Sequence, residues 1–531
     1  MKRVLILLCG CLVLGAIAPA GASAFKYGVT AGEVTSSSAI LWTRAARSGS
    51  VTLQVARNNR FTRGLKLYPL RARRSRDLTV QRRVRRLKSN RRYWFRFIQG
   101  RRRSKRGTFR TAPSRNANIP IDFAWTGDTD ALPLKGSRGR PYWNNFDVFR
   151  RMRAERNDFN IHLGDTIYSD SEVPNRQKPV ALTVRQKWTK YKINLAQRKL
   201  QDLRKSAGFY SHWDDHEFVN DFARSENSFS SAPNVNGQSL YRTGVRAFRD
   251  YAPVTYTSRD GIYRTRRWGK NLELFFLDQR SFRSAKADAG GRCDNPPGSG
   301  NSDLAPTAPQ GLRNVFGVVV PQLKNPTPPA CTAAIKDPNR TYLGRRQLNR
   351  FLAAVRNSDA RFKVIVNELP IQQYYVLPYD RWEGYEAERQ TVLNALSGKV
   401  KNVVFLTTDV HATLVNDARF QTLESGGPRN SGIMDITVGP AATANFELEI
   451  DEAVGKGNGR FVDDLFLEQA PPNGPGMQCS ELKTFSYGHV RATRNRLTIT
   501  PRNIQGRTLT QDPSGASKST ACGPFVLNYT P

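Results

Sequence analysis

The segment "NIHLGDTIYSD" (residues 160–170) follows a basic amphipathic stretch and places His162, Asp165, Tyr168 and Asp170 within eleven residues. A polar surface loop and one wall of a cation site would both read this way. Matching donors elsewhere in the chain separate the two. "FAWTGDTD" (123–130) ends in Asp128 and Asp130, and "FLTTDVH" (405–411) ends in Asp409 and His411. "YSHWDDHEFVND" (210–221) carries Asp214, Asp215, His216, Glu217 and Asn220. In each segment a short glycine or polar residue precedes the donors. In open α/β sheets, ligands collect outside such strand ends.

The surrounding pattern agrees with that placement. Apolar runs "IDFAWTGD" (121–128), "NIHLGD" (160–165), "LELFFLD" (272–278), "KVIVNELP" (363–370) and "VVFLTTD" (403–409) predict strands. Helical periodicity falls between them, in "WNNFDVFRRMRAER" (143–156), "TVRQKWTKYKINLAQRKLQDLRKS" (183–206), "GRRQLNRFLAAVRNS" (344–358) and "YEAERQTVLNALSG" (385–398). Strand and helix in alternation is an α/β signature. Before it, "SAILWTRA" (38–45), "SVTLQVAR" (50–57), "LTVQRRVRRL" (78–87) and "RYWFRFIQG" (92–100) alternate with period two, which suits a small β-sandwich over 25–112. "TAPSRNANIP" (111–120) has linker composition, and the α/β part is expected over 119–531. A length of 531 residues supports two domains. Residues 284–341, rich in Pro, Gly, Asn and Ser, read as a long loop pinned by its cysteines, and strand alternation returns from 485.

Residues 1–24 read as a secretory signal: Lys2 and Arg3, an apolar run, then "ASA" (22–24). A transmembrane helix is the competing reading, against which Pro19 and Gly21 interrupt the run and no charged stop follows. A secreted, soluble chain is the expectation. It retains Cys293, Cys331, Cys479 and Cys522, and proximity pairs Cys293 with Cys331 and Cys479 with Cys522. Hydrophobic residues at 39 % supply a core and exclude a disordered chain. The net charge of +39 is densest over 71–110. It reads either as a solubilising surface or as a site for a polyanion such as nucleic acid, anionic phospholipid or a cell-wall polymer.

Of the five histidines, His162, His216 and His411 lie within three residues of an aspartate in these segments, and His212 lies two from Asp214. Hard oxygen donors with a few imidazoles and no thiolate suit Ca²⁺, Mg²⁺, Mn²⁺ or Fe³⁺. Two cations about 3.5–4 Å apart would clamp a phosphoryl group and generate hydroxide, so phosphate ester hydrolysis is the expected chemistry. Arg280 and Arg283 could hold phosphate oxygens or brace their loop through salt bridges. His489 reads as structural, His162 as a strand-end support, and Trp382, Tyr385 and Glu386 as the start of a helix near the site.

With these motifs in view, the chain resembles the PhoD family of alkaline phosphatases and phosphodiesterases, a branch of the calcineurin-like metallophosphoesterases. "HLGDTIY", "WDDHEFVND", "LELFFLDQRSFRS", "DRWEGYEAER" and "VVFLTTDVHATLVND" carry the likeness in order, and "YGVTAGEVTSSSAILWTRA" through "GTFRTAP" is similar to the family's β domain. The resemblance implies a four-layer α/β/β/α domain behind a small fibronectin III/Ig-like sandwich, with Fe³⁺ and Ca²⁺ as cofactors. Carried over, Asp165 bridges the cations and Tyr168 ligates the trivalent one. Asn220, Asp409 and His411 take the second, and Asp215 and His216 position substrate. The family's usual Cys after the first strand is missing here. Asp128, or Asp130, replaces it and leaves Mn²⁺ or Mg²⁺ open at that position. The reaction expected is attack of a metal-bound hydroxide on a phosphate mono- or diester, with His216 or a second water protonating the leaving oxygen. A monomer without protein partners is expected. The rivals are a nuclease, a teichoic-acid phosphodiesterase, and a non-catalytic cationic binding protein on the same fold.

Overall fold

In the strand Ile121–Thr126, Ile121, Phe123 and Trp125 point into one core while Ala124 points into another. The same alternation sends Phe159, Ile161 and Leu163 inward and leaves His162 facing Phe149 on the other side. Both faces are therefore covered, which is what parallel strands with few polar residues require. The computed structural model describes residues 25–134, 136–137, 139–174, 179–420, 429–468, 475–511 and 520–531. The expected signal segment, with Cys9 and Cys11, lies outside the described residues.

Two sheets face each other. The first has nine strands, with Ile121–Thr126, Phe159–Leu163 and Gly208–His212 parallel at its centre. The second has seven, built around parallel Leu272–Phe276, Phe362–Val366, Val403–Thr407 and Asn430–Thr437. Leu272, Leu274, Val364, Val404 and Leu406 meet Phe123, Phe159 and Tyr210 in the core between them. Helices Asp147–Ala154, Val184–Leu195, Arg198–Arg204 and Gly237–Tyr251 cover the first sheet, and Arg345–Arg356 and Glu386–Leu396 cover the second. This is the expected four-layer α/β/β/α order.

The N-terminal β region contributes to both halves of its own sandwich. Gly49–Ala56, Lys66–Ala72, Arg92–Gln99 and Gly107–Arg110 form a separate sheet. Val29–Gly32, Ala39–Arg44 and Thr79–Val84 instead extend the nine-stranded sheet, through a parallel bridge from Ala31 to Gly208.

Three details differ from the sequence reading. The helix expected over 183–206 is two helices that break at Ala196–Gln197. The stretch 284–341 is not all loop. It holds helices Gln310–Phe316 and Pro329–Lys336, the second started by Pro329, whose fixed φ suits a first helical position. Helix Gly237–Tyr251 is not among the helices expected above, although Leu240, Tyr241, Val245 and Phe248 share one buried face. A Cβ at Gly244 within it would lie 2.4 Å from the Phe218 ring, so the glycine permits close packing and does not end the helix. Both disulfides pair as expected, Cys293–Cys331 and Cys479–Cys522. Among the described residues no helix is long and apolar enough to cross a membrane.

Candidate cation site

At the carboxyl ends of the central strands the backbone turns sharply. Asp128, Asp165, Asp409 and His411 all have positive φ, at 62°, 48°, 70° and 57°. Non-glycine residues adopt that region rarely, and where they do, surrounding contacts enforce it, commonly at functional sites. At Asp165, Glu217 supplies the constraint. Its carboxylate accepts hydrogen bonds from the backbone N–H of Asp165 (3.1 Å), Thr166 (2.8 Å) and Asp214 (2.8 Å). Gly164 permits the approach, since a Cβ on it would lie 2.6 Å from Asp214 Cβ. Gly439 does the same for Asp128, with a hypothetical Cβ 2.7 Å from Oδ2.

The turns bring donors from four segments together. Asp128, Asp165 and His411 form one group whose ligand atoms lie within 4.8 Å of one another. Asp165, Asp215 and His216 form a second, and Asp214, Asp215 and Asp409 a third. Asp165 therefore belongs to two groups, as a bridging carboxylate would. Both oxygens of Asp128 and Oδ2 of Asp214 are buried with no hydrogen-bond partner among the described residues. The Tyr168 hydroxyl lies 2.7 Å from His411 Nε2, and its ring stacks on His216 at 4.0 Å. Asn220 lines the cleft above, which has a volume of about 380 Å³.

Electrostatics point the same way. Burial pushes Asp128 up to about 7, only partly opposed by His411. Burial, then neighbouring carboxylates, raise Asp165 and Asp409 well above the carboxylate range. Burial and the Asp165 charge likewise hold the Tyr168 phenol protonated. Carboxyls this dry either keep their protons or give them up to a bound cation. Burial opposes charge on His216 and His411, yet carboxylates outweigh it: Asp170 raises His216, and Glu449 lifts His411 to about 9.

Not every expected residue stands where the sequence suggested. Asp130, the alternative to Asp128, takes the Leu132 N–H (2.9 Å) and the Ser171 hydroxyl, and joins none of the groups among the described residues. His411, expected beside Asn220 and Asp409, is grouped with Asp128 and Asp165. Arg280 is fully buried and does not line the cleft; it pairs with Asp214 and, at 2.8 Å, with Asp380. Arg283 also pairs with Asp380. Of the two readings for these arginines, the bracing one describes their contacts. Trp382–Tyr385 and Glu386–Leu396 do form the expected helical start, and His489 sits in strand Ser486–Ala492 near Asp122.

Five carboxylates at the site do not stand out in the sequence. Glu172 and Glu449 flank His411 within 4.8 Å, and Asp221, Asp288 and Asp380 line the cleft. Glu172 lies two residues beyond "NIHLGDTIYSD", Asp221 ends "YSHWDDHEFVND" and Asp380 opens "DRWEGYEAER", so these three adjoin a visible signal. Glu449, in helix Phe446–Val454, had none.

His162 does support the strand end. Its ring nitrogens lie 3.3 Å from Thr129 Oγ1 and 3.4 Å from Thr166 Oγ1, on either side of the cluster. Burial, with Arg204 nearby, pushes its pKa from 6.5 down to about 3. In that window the unfolded chain binds the extra proton, so stability is present above 6.5 and falls with acid, by about 1.4 kcal/mol per pH unit. Denaturant titrations of His162→Gln should show a shallower loss than wild type across this window. An unchanged slope would refute the assignment.

Comparison with known proteins places these features. A family model described as PhoD-like phosphatase matches residues 138–500, and one for the N-terminal domain of PhoD-like phosphatases matches 13–113. Alkaline phosphatase D of Bacillus subtilis (strain 168) is 24 % identical over 429 residues, covering 73 % of this chain and 64 % of that protein. The chain thus spans just under two thirds of that relative's length. Among solved structures, one titled "Structure of PhoD" superposes with a TM-score of 0.71 at 19 % identity, over 96 % of this chain and 92 % of its own. The purple acid phosphatase PPD1 from yellow lupin (Lupinus luteus) seeds gives 0.53 at 12 % identity, over 91 % and 73 %.

Proposed function

The chain belongs to the PhoD-like phosphatase family, and from that premise we propose that its cleft hydrolyses phosphate mono- or diesters with the help of bound cations. The observation that carries this reading is Asp128. Asp128 is fully buried, its oxygens form no hydrogen bond of good geometry among the described residues, and it is grouped with Asp165 and His411, a setting that suits a cation. Asp128, Tyr168 and His411 would hold one cation and Asn220 and Asp409 a second, with Asp165 placed to serve both. The phenol favours Fe³⁺ at the first position and the oxygen set favours Ca²⁺ at the second. A carboxylate in place of a thiolate also admits Mn²⁺ or Mg²⁺ at the first.

When bound, such cations hold phosphoryl oxygens and lower the pKa of a water that attacks phosphorus. The chain's own residues supply the rest. His216, held charged between Asp170 (2.7 Å) and Glu172 (3.4 Å), has a proton to give the leaving oxygen. Asp215 accepts the His216 backbone N–H (2.9 Å) and so fixes that ring's approach. Leu304, Leu377 and Phe446 give the cleft an apolar rim that limits water. The two disulfides support a secreted location, extracellular or periplasmic.

Exhaustive chelation should abolish turnover of chromogenic mono- and diesters, and Ca²⁺ with Fe³⁺ or Mn²⁺ should restore it. Activity that survives chelation would refute the reading. A polymeric phosphodiester, such as nucleic acid or teichoic acid, is a second reading of the substrate. It is favoured by one observation: Asp77 is the only acid between residues 51 and 110, and it is engaged by Arg44 and Lys192. Catalytic preference for a polymer over a small diester that fades with added salt would support it.

A further inference from the structure

The His411 ring is held at both nitrogens. Its Nε2 lies 2.7 Å from the Tyr168 hydroxyl, and its Nδ1 lies 2.5 Å from Glu449 Oε1. Nε2 and the Tyr168 oxygen thus converge on one point, while Nδ1 is turned to a carboxylate of its own. A neutral imidazole carries one proton, and an acceptor at Nδ1 keeps that proton there. Nε2 is then left with a free lone pair.

The helix that brings Glu449 in is fastened to His411 a second time. The Phe446 N–H donates to the His411 carbonyl (3.1 Å), and the Glu447 N–H to the Leu482 carbonyl (3.1 Å). Asn445 caps helix Phe446–Val454 by accepting the Leu448 N–H (2.9 Å). Asp451 accepts the N–H groups of Gly457 (3.0 Å) and Gly459 (2.8 Å), which ties this helix to Asn458–Glu468. Phe446 also joins Val410, Ala412 and Leu465 in one apolar cluster. One helix therefore fixes both the backbone of His411, at its left-handed φ of 57°, and the direction of its ring. The Glu449 side chain is itself 36 % exposed, and an ion pair so open to water adds little stability. A carboxylate set on a ligating imidazole acts instead on the orientation and basicity of the ligand.

We propose that Glu449 is a positioning residue for the first cation: it accepts the Nδ1–H of His411 and so aims the Nε2 lone pair at the ion shared with Asp128 and Tyr168. This rests on the cation reading of the cleft given above. It adds which residue outside the ligand set governs how tightly that position is filled. Glu172, the other carboxylate near His411, is committed elsewhere. It accepts the Thr443 hydroxyl (3.1 Å) and lies 3.4 Å from His216 Nε2.

Equilibrium dialysis of the chelated full chain against Mn²⁺ alone tests the assignment without turnover. Glu449→Ala should weaken one of the wild-type Mn²⁺ sites by about 10–100-fold and leave the other unchanged. Glu449→Gln, whose amide oxygen still accepts the Nδ1–H, should recover most of that loss. In chelator both variants should unfold together with wild type. Wild type that takes up no Mn²⁺ would remove the cation reading itself, and this proposal with it. If wild type binds and Glu449→Ala binds equally well, the positioning role alone is overturned. A Glu449→Gln variant as weak as Glu449→Ala overturns it too. In wild type with ¹⁵N-labelled histidine and Mg²⁺ in place of Mn²⁺, nuclear magnetic resonance should find the His411 proton on Nδ1. A proton on Nε2 instead overturns the assignment, even if Glu449→Ala fails to fold.

Discussion

Asp165→Asn is expected to lower kcat/KM for phosphate ester hydrolysis by roughly 10³-fold, the equivalent of about 4 kcal/mol of charge stabilisation. Asp165 is grouped with Asp128 and His411 on one side and with Asp215 and His216 on the other, and in the proposed assignment it would stand between the two cations, so its loss should weaken the hold on both. The fold should survive it. The amide oxygen can still accept the His216 N–H that Asp165 Oδ1 now takes at 3.1 Å, and the turn is held by Glu217 through backbone groups. The sign of the stability change is diagnostic. In chelator, removing one of several crowded buried carboxylates relieves repulsion, so the variant should unfold no earlier than wild type. With cations supplied, wild type should gain stability by mass action and the variant should gain far less. A variant that binds cations and stabilises as wild type does, yet is inactive, would show that Asp165 serves chemistry and not cation binding.

That argument uses residues visible in the sequence, and the reason they were visible is physical. Strand ends such as "FAWTGDTD" and "FLTTDVH" concentrate their donors within a few residues of an apolar run, so the local pattern and the site coincide. The same holds for the two-sheet core, because alternation in Ile121–Thr126 and Phe159–Leu163 is a local property. Glu449 reaches His411 Nδ1 at 2.5 Å from a helix 38 residues further along, and nothing in "FELEIDEAV" distinguishes it from an ordinary solvated face. The roles of Arg280 and Arg283 were undecidable for a related reason. A guanidinium suits a phosphate and a carboxylate equally, and only the fold reveals that Asp380, a hundred residues away from Arg280, takes both of them.

Arg280→Met should destabilise the fold by about 3–5 kcal/mol, the usual result of removing one partner from a buried ion network. Arg280 is fully buried between Asp214 and Asp380, with Asp409 at 3.6 Å and Asp215 at 3.7 Å. Asp380 would keep Arg283, but Asp214 would lose its closest cation. Burial already lifts Asp214 to about 7 against the pull of Arg280, and without that pull it rises further. A carboxyl whose folded pKa lies above its unfolded value holds its proton more tightly when folded. Stability then declines as pH climbs from the unfolded value toward the folded one. The deficit of Arg280→Met relative to wild type should therefore widen with rising pH and narrow in acid, as read from denaturant midpoints in chelator. Arg280→Lys should recover part of the loss, since an ammonium cannot address Asp214 and Asp380 with a planar fork. If Arg280→Lys keeps wild-type stability but raises KM for the ester severalfold, the guanidinium reaches substrate phosphate and the bracing role gives way.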